Sequence, residues 1–209
     1  MKIAAIIPVK TFSKAKSRLD IPASKKISIC RIMFAEIVKT ITESKMVDKI
    51  IVVSKNNDII SDEMTNTIHL YDEYESGVNN AISIADKYIC NNKFDASVIF
   101  PQDIPLIKSS DIKFLLSFNS SRLVFVVPSK RFDGTNALVR TPTDLMETHY
   151  DEDSYKIHLR VGKKHTNNTS LVLIKRIMFD IDNYQDLKLL LKQNEKPDVC
   201  KMIQKIAYS

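Results

Sequence analysis

Short, unbroken apolar runs constrain this chain more than any other feature: "KIAAIIPV" (2–9), "KIIVVS" (49–54), "ASVIF" (96–100) and "LVFVVP" (123–128). A strand with one wet face alternates polar and apolar residues, whereas a strand covered on both faces reads as a continuous run. Between the runs lie stretches with helical spacing. Residues 25–43 place Ile29, Met33, Ile37 and Ile41 on one face behind a Ser24 cap, and 76–90, 110–117, 184–192 and 197–206 follow. Further strands are expected at "TIHLY" (67–71), "NALVR" (136–140) and "SLVLI" (170–174), the last leading into "MFDID" (178–182). Alternation of buried strands and helices predicts an α/β fold, a mostly parallel sheet with helices on both faces, in a single domain over residues 1–209.

Composition narrows the function classes. Lys plus Arg total 31 against 25 for Asp plus Glu, a formal charge of +6. This suits anionic partners, although scattered surface lysines give the same sum. No basic run interleaves with aromatics, so a nucleic-acid groove is not expected. The opening "MKIAAIIPVK" holds too short an apolar run to span a membrane, and Cys30, Cys90 and Cys200 are odd in number and widely spaced. A cytoplasmic protein without disulfides or a zinc site is the expectation.

With only Gly77, Gly134 and Gly162, neither a P-loop nor a dinucleotide fingerprint can be written. Any phosphate must then be held by side chains. "VKTFSKAKSRLD" supplies Lys10, Lys14, Lys16 and Arg18 in the loop after the first strand, at the carboxyl end where open α/β sheets bind ligands. Two readings stand for that loop, a phosphate cradle and a solvated basic surface.

The carboxylates fall in two places. In "IFPQDIPLI" (99–107) an apolar run stops at Gln102-Asp103, which makes Asp103 a candidate ligand held rigidly at a strand end. In "MFDIDNYQDL", strand alternation would put Asp180 and Asp182 on one face, roughly 7 Å apart. With Asp103 they form a set able to hold Mg²⁺, which takes one or two carboxylates plus phosphate oxygens. Asp182 reads equally as the residue before an N-cap, Asn183, with Asp186 as its capping-box partner. The acidic stretch "YDEYES" (71–76) reads as a solvated loop. In "FDGTNALV" (132–139) the Asp-Gly pair signals a hairpin turn, and Thr135 and Asn136 after it are candidates to bind a small anionic substrate, with Lys130 or Arg131 adding charge. None of the four histidines shows metal spacing or a triad arrangement, and each reads as structural.

Taken in order, "PVKTFSKAKSRL", "SGVNNAI", "PQDIPLI", "VPSKRFDGTNAL", "SYKIHL" and "FDIDNYQDL" resemble the 2-phospho-L-lactate guanylyltransferases, nucleotidyltransferases that serve deazaflavin coenzyme (F-420) synthesis. The resemblance spans Ile6 to about Leu190 and implies a Rossmann-like nucleotidyltransferase fold. It implies that Asp103, Asp180 and Asp182 hold Mg²⁺ and that Lys10, Lys16 and Arg18 hold the nucleotide phosphates, with Lys16, Arg18 and Asp103 serving the chemistry. It further implies that Gly77 and Asn79 lie at the base or ribose of GTP, and that Thr135 and Ser154, beside Arg131 and Asn136, hold the phosphorylated acid. A homodimer is compatible with this picture. Similar proteins carry a glycine just before the serine of the "SYKIH" element, where this chain has the acidic "DED".

The implied chemistry needs no histidine. A phosphate ester is largely dianionic at pH 7, its second pKa being about 6, so it can attack the α-phosphorus of GTP without a general base. The acceptor is open among 2-phospho-L-lactate, phosphoenolpyruvate and 3-phospho-D-glycerate. Alternatives are a sugar-phosphate or molybdopterin acceptor, or a catalytically silent nucleotide-binding module on the same sheet.

Overall fold

A computed structural model describes residues 1–12, 16, 18–61, 64, 66–151 and 153–207. Lys14 of the basic loop lies outside the described residues. One seven-stranded sheet runs β3-β2-β1-β4-β6-β5-β7. Its strands are β1 (Ile3–Pro8), β2 (Lys49–Ser54), β3 (Thr67–Tyr71), β4 (Ala96–Ile99), β5 (Leu123–Pro128), β6 (Thr135–Thr141) and β7 (Thr169–Leu171). Every pairing is parallel except those of β6, which runs against both β4 and β5. The mostly parallel α/β architecture expected from the buried runs is what the chain adopts.

Alternate side chains of β1 enter two cores. Ile3, Ala5 and Ile7 face one side, with α1 (Ala23–Ser44), α3 (Ser109–Leu116), α5 (Lys175–Met178), α6 (Tyr184–Gln193) and α7 (Pro197–Ala207). Ala4 and Ile6 face the other, with α2 (Val78–Asn91) and the apolar residues of α4 (Ser154–His165). Ile29, Met33, Ile37 and Ile41 of α1 are all buried as their spacing requires.

Three local readings are corrected. Helix α1 starts at Ala23 with Pro22 at its N-cap and no side-chain cap, so Ser24 lies inside the first turn instead of capping it. Residues 175–178 form a short helix and 180–182 belong to no strand, so Asp180 and Asp182 are not paired across a pleat. The apolar alternation of Ile177, Phe179 and Ile181 is real, since all three are buried. The segment meets the core beneath β6 without adding a strand, because Asn136 of β6 donates from Nδ2 to the carbonyls of Ile177 and Met178, both at 3.1 Å. Lastly, α4 covers the "SYKIHL" motif and the neighbourhood of three of the histidines, where no helix is expected from the reading above. Ser154, His158 and Gly162 are its buried residues, a stripe spaced by four that would have marked a helix.

Candidate active site

Strand direction assembles the site. The parallel strands β1 and β4 deliver their carboxyl ends, Lys10 and Gln102-Asp103, to one edge, and antiparallel β6 delivers its beginning, Thr135 and Asn136, to the same edge. The expected Asp-Gly turn is the loop closing the β5–β6 hairpin, where Ser129 N–H donates to Gly134 O at 2.9 Å. Asp180 and Asp182 are brought in by their backbone: Ile181 N–H donates to Asp103 O at 3.0 Å, and the Lys130 ammonium reaches Asp180 O at 3.0 Å. Asn183 caps α6, with Asp186 completing the capping box.

At the centre lies Lys16. Its ammonium bridges Asp103 and, at 2.8 Å, Asp182 Oδ1. Its backbone is left-handed at φ 54°, a conformation that costs energy away from glycine and collects at functional positions. Burial alone would lower its pKa, but the two carboxylates hold it protonated, above the ordinary lysine range. Burial pushes Asp182 up, yet Lys16 outweighs it and keeps that carboxylate ionised. Among the described residues Asp180 has no such partner: burial, with Asp182 and Asp103 adding to it, pushes its pKa up to about 7. Asn136 Nδ2 approaches Asp180 Oδ1 at 3.3 Å.

This cluster fits a cation. Among the described residues Asp103 Oδ1 is buried with no hydrogen-bond partner, and Asp180 crowds two carboxylates that Lys16 and Arg131 answer without pairing with it. Among the described residues, no three His, Cys, Asp or Glu side chains are gathered closely enough to enclose a metal as they stand. An ion would therefore be completed by ligand oxygens, as is usual for Mg²⁺.

Beside the cluster opens a cavity of about 330 Å³, lined among others by Lys10, Asp72, Glu75, Gly77, Asp103 and Thr135. Gly77, at φ 119°, takes a backbone conformation suited to glycine as α2 begins. At the same cavity, Thr135 Oγ1 lies 3.0 Å from Ser154 Oγ and 2.9 Å from His158 Nδ1. Thus Lys16, Asp103, Asp180, Asp182, Thr135, Asn136 and Ser154 are brought together. Arg131 stands at the rim, 3.8 Å from Asp182 and 3.5 Å from Asp186. Arg18 is exposed and makes no ion pair with the cluster among the described residues. Asn79 does not line the cavity; its Oδ1 accepts the Tyr150 N–H at 2.8 Å. Asn136 likewise holds backbone in place.

Two features of the sequence read otherwise, an acidic loop and a histidine, belong here. "YDEYES" was expected to be solvated, but Asp72 is 4% exposed and both Asp72 and Glu75 line the cavity. Asp72 Oδ1 accepts from the Glu75 N–H and Asn80 Nδ2, both at 3.2 Å, and Glu75 Oε1 accepts from the Thr11 N–H and hydroxyl. These contacts tie the acidic loop to the loop after β1, a relation no local sequence signal carries. His158 is the other, fully buried behind Thr135.

The sequence family described as "Guanylyl transferase CofC like" matches residues 3–209. This chain belongs to that family. A "2-phospho-L-lactate guanylyltransferase" of Methanobrevibacter smithii is 25% identical over 207 residues, 98% of this chain and 90% of the relative. A "phosphoenolpyruvate guanylyltransferase" of Conexibacter woesei is 26% identical, covering 91% and 87% of the two chains. Among solved structures, a nucleotidyl transferase from Methanothermobacter thermautotrophicus superposes with a TM-score of 0.68 at 12% identity, over 94% of this chain and 99% of its own. At that identity the likeness speaks for the nucleotidyltransferase fold alone. The CofC-like guanylyl transferase thus has the fold and the nucleotidyltransferase character that its motif order implies.

Proposed function

We propose that the chain transfers a guanylyl group from GTP to a small phosphorylated acid, 2-phospho-L-lactate, phosphoenolpyruvate or 3-phospho-D-glycerate, in the synthesis of a deazaflavin coenzyme of the F-420 type. Residues 1–209 act as one nucleotidyltransferase domain in a reducing cytoplasm, a reading supported by three free cysteines. The observation that carries the function is the pairing of an under-compensated carboxylate cluster with the Thr135–Ser154 hydroxyl pair at one cavity, which Asp103 and Thr135 both line.

An oxygen of the substrate phosphate bonds to the α-phosphorus of GTP, the bond between the α-phosphorus and its bridging oxygen to the β-phosphate breaks, and pyrophosphate leaves. Lys10, Lys16 and Arg18 offset the charge on the departing phosphates. Lys16 must turn from Asp103 and Asp182 towards those oxygens, which its flexible four-carbon stem allows. Asp103, Asp180 and Asp182 would hold Mg²⁺, which when bound neutralises phosphate charge and draws the reacting groups together. Thr135 and Ser154 orient the acid, since misplacement by about 1 Å can cost 10²-fold in rate. No basic side chain is needed at the attacking oxygen, because the phosphate is already ionised.

The test is pyrophosphate release from GTP with each of the three phospho-acids in turn. Turnover with one of them is expected. None with any of the three, nor with sugar phosphates or molybdopterin, would leave a silent nucleotide-binding module.

A further inference from the structure

His158 lies in no catalytic contact, yet its surroundings determine what Thr135 can offer a ligand. The imidazole is 0% exposed, and Tyr150 packs edge-on against it with centroids 4.8 Å apart. Its Nε2 receives the backbone N–H of His149 at 2.9 Å. Because that nitrogen accepts, it carries no proton. Burial, with His149 and Arg140 adding to it, lowers the ring's pKa to about 3, so the ring is neutral. A neutral ring that accepts at Nε2 has its hydrogen on Nδ1, which then donates to Thr135 Oγ1 at 2.9 Å.

The consequence follows from counting hydrogens. Thr135 and Ser154 hold two hydroxyl hydrogens between them and lie 3.0 Å apart, so one hydrogen joins the pair and one is left over. With His158 donating, the leftover hydrogen can be presented to a ligand. In the opposite tautomer Nδ1 would accept the Thr135 hydrogen, Ser154 would donate to Thr135, and only lone pairs would remain. The same two hydroxyls would then repel an anion.

We infer that His158 is a positioning residue for acceptor binding: by donating from Nδ1 to Thr135 it makes the Thr135–Ser154 pair a hydrogen-bond donor to an anionic oxygen of the phosphorylated acid. This rests on the reading that the acid lies against Thr135.

Two measurements test it. The first compares KM for the acceptor and for GTP in His158→Phe and His158→Asn, with whichever of the three phospho-acids the wild-type protein uses. Phe keeps a ring but has no donor, whereas the Asn amide can place an N–H near the Nδ1 position. His158→Phe is expected to raise the acceptor KM at least 10-fold and to leave the GTP KM within 2-fold, with His158→Asn recovering most of the loss. Equal changes in both KM values, or an Asn variant no better than Phe when both are folded, would overturn the inference. The second reads the ring-nitrogen shifts of His158 in the wild-type protein by ¹⁵N NMR. A protonated Nδ1 and bare Nε2 are expected; a protonated Nε2 would overturn the inference even if neither variant folds. The NMR result does not depend on turnover, so a wild-type protein inert with every acceptor would sink the guanylyl reading separately.

Discussion

Two groups of side chains, a charged wall that reaches the cavity through Asp103 and a neutral wall that reaches it through Thr135, are held in opposite ways. On one side Lys16, Asp103, Asp180 and Asp182 form a charged group with an orphaned carboxylate oxygen and a carboxyl group pushed to about pH 7. On the other, Thr135, Ser154 and His158 form a neutral, buried group in which each member has a partner. The neutral wall is held by its own hydrogen bonds and keeps one hydroxyl hydrogen for a ligand. The charged wall is built at the expense of stability and completed by what binds, as expected where binding needs unsatisfied groups.

The largest test of that contrast is Asp103→Asn. If the charged wall is there for ligands, removing one negative charge should reduce turnover by at least about 10²-fold while the melting temperature moves by only a few degrees, because Asp182 still pairs with Lys16. Turnover assays beside thermal denaturation check both halves of the statement. Near-normal turnover would remove Asp103 from the chemistry, and a collapse in stability would make the charged wall a structural device.

On the neutral wall the corresponding sensitivity is to packing. A Cβ on Gly162 would stand 2.9 Å from Thr169 Cγ2, 3.0 Å from Thr169 Oγ1 and 3.1 Å from Val124 Cγ1. Alanine gains about 1 kcal/mol of helix propensity. Overpacking against two stiff β-branched side chains costs about 1–3 kcal/mol and should win. Gly162→Ala is therefore expected to lower the melting temperature by several degrees and, through movement of α4, to raise the acceptor KM more than the GTP KM. A more stable variant would show that α4 is loosely seated.

The two walls also differ in how far the sequence reveals them. Asp103 was legible because a charged residue that interrupts a buried apolar run needs a reason to be there, and Lys16 because it lies in a basic loop at the carboxyl end of the first strand. Asp180 and Asp182 were found by residue type but given the wrong geometry, since Phe179-Asp180-Ile181-Asp182 alternates like a strand while Asn136 and Lys130 hold its backbone outside the sheet. The neutral wall was half legible: Thr135 stood out after the Asp-Gly turn and Ser154 through family resemblance, and His158 did not. Its role depends on the backbone N–H of His149 and a hydroxyl on another strand, relations that periodicity cannot carry. Asp72 was missed for a similar reason, its burial being set by Glu75 and Asn80.

Acidity should separate the walls with a smaller effect. Asp180 is raised from 3.8 to about 7 in the ligand-free protein, so the stability gained by protonating it is fully present below pH 3.8 and lost as pH rises through about 7. His158 is lowered from 6.5 to about 3, so its contribution is present above pH 6.5 and lost as pH falls towards 3. Between pH 3.8 and 6.5 the two oppose each other. Asp180→Asn should therefore leave only the histidine's effect from this pair, making the ligand-free protein lose stability more steeply on acidification than the wild type does. Melting curves from pH 4.5 to 7.5 check this; parallel profiles for the two proteins would mean that Asp180 is not raised.

The smallest effect is expected at Asp153, the residue just before Ser154. Asp153 begins α4 with φ 55° and ψ 30°, the left-handed conformation that glycine adopts without strain. The acidic residue thus keeps the backbone shape a glycine would give. Aspartate tolerates it better than most residues, and both carboxylate oxygens accept from the Lys156 ammonium at 3.1 Å. Asp153→Gly would relieve the strain, lose an exposed ion pair of little worth, and loosen the unfolded chain by about 0.4–1 kcal/mol. These terms nearly cancel, so the melting temperature should stay within about 2 °C of wild type. Because Lys156 already answers its charge, the ranking of the three phospho-acids should also be unchanged. A reordered ranking at unchanged stability would show that the Asp153 carboxylate selects the acceptor, and that the neutral wall has a charged edge.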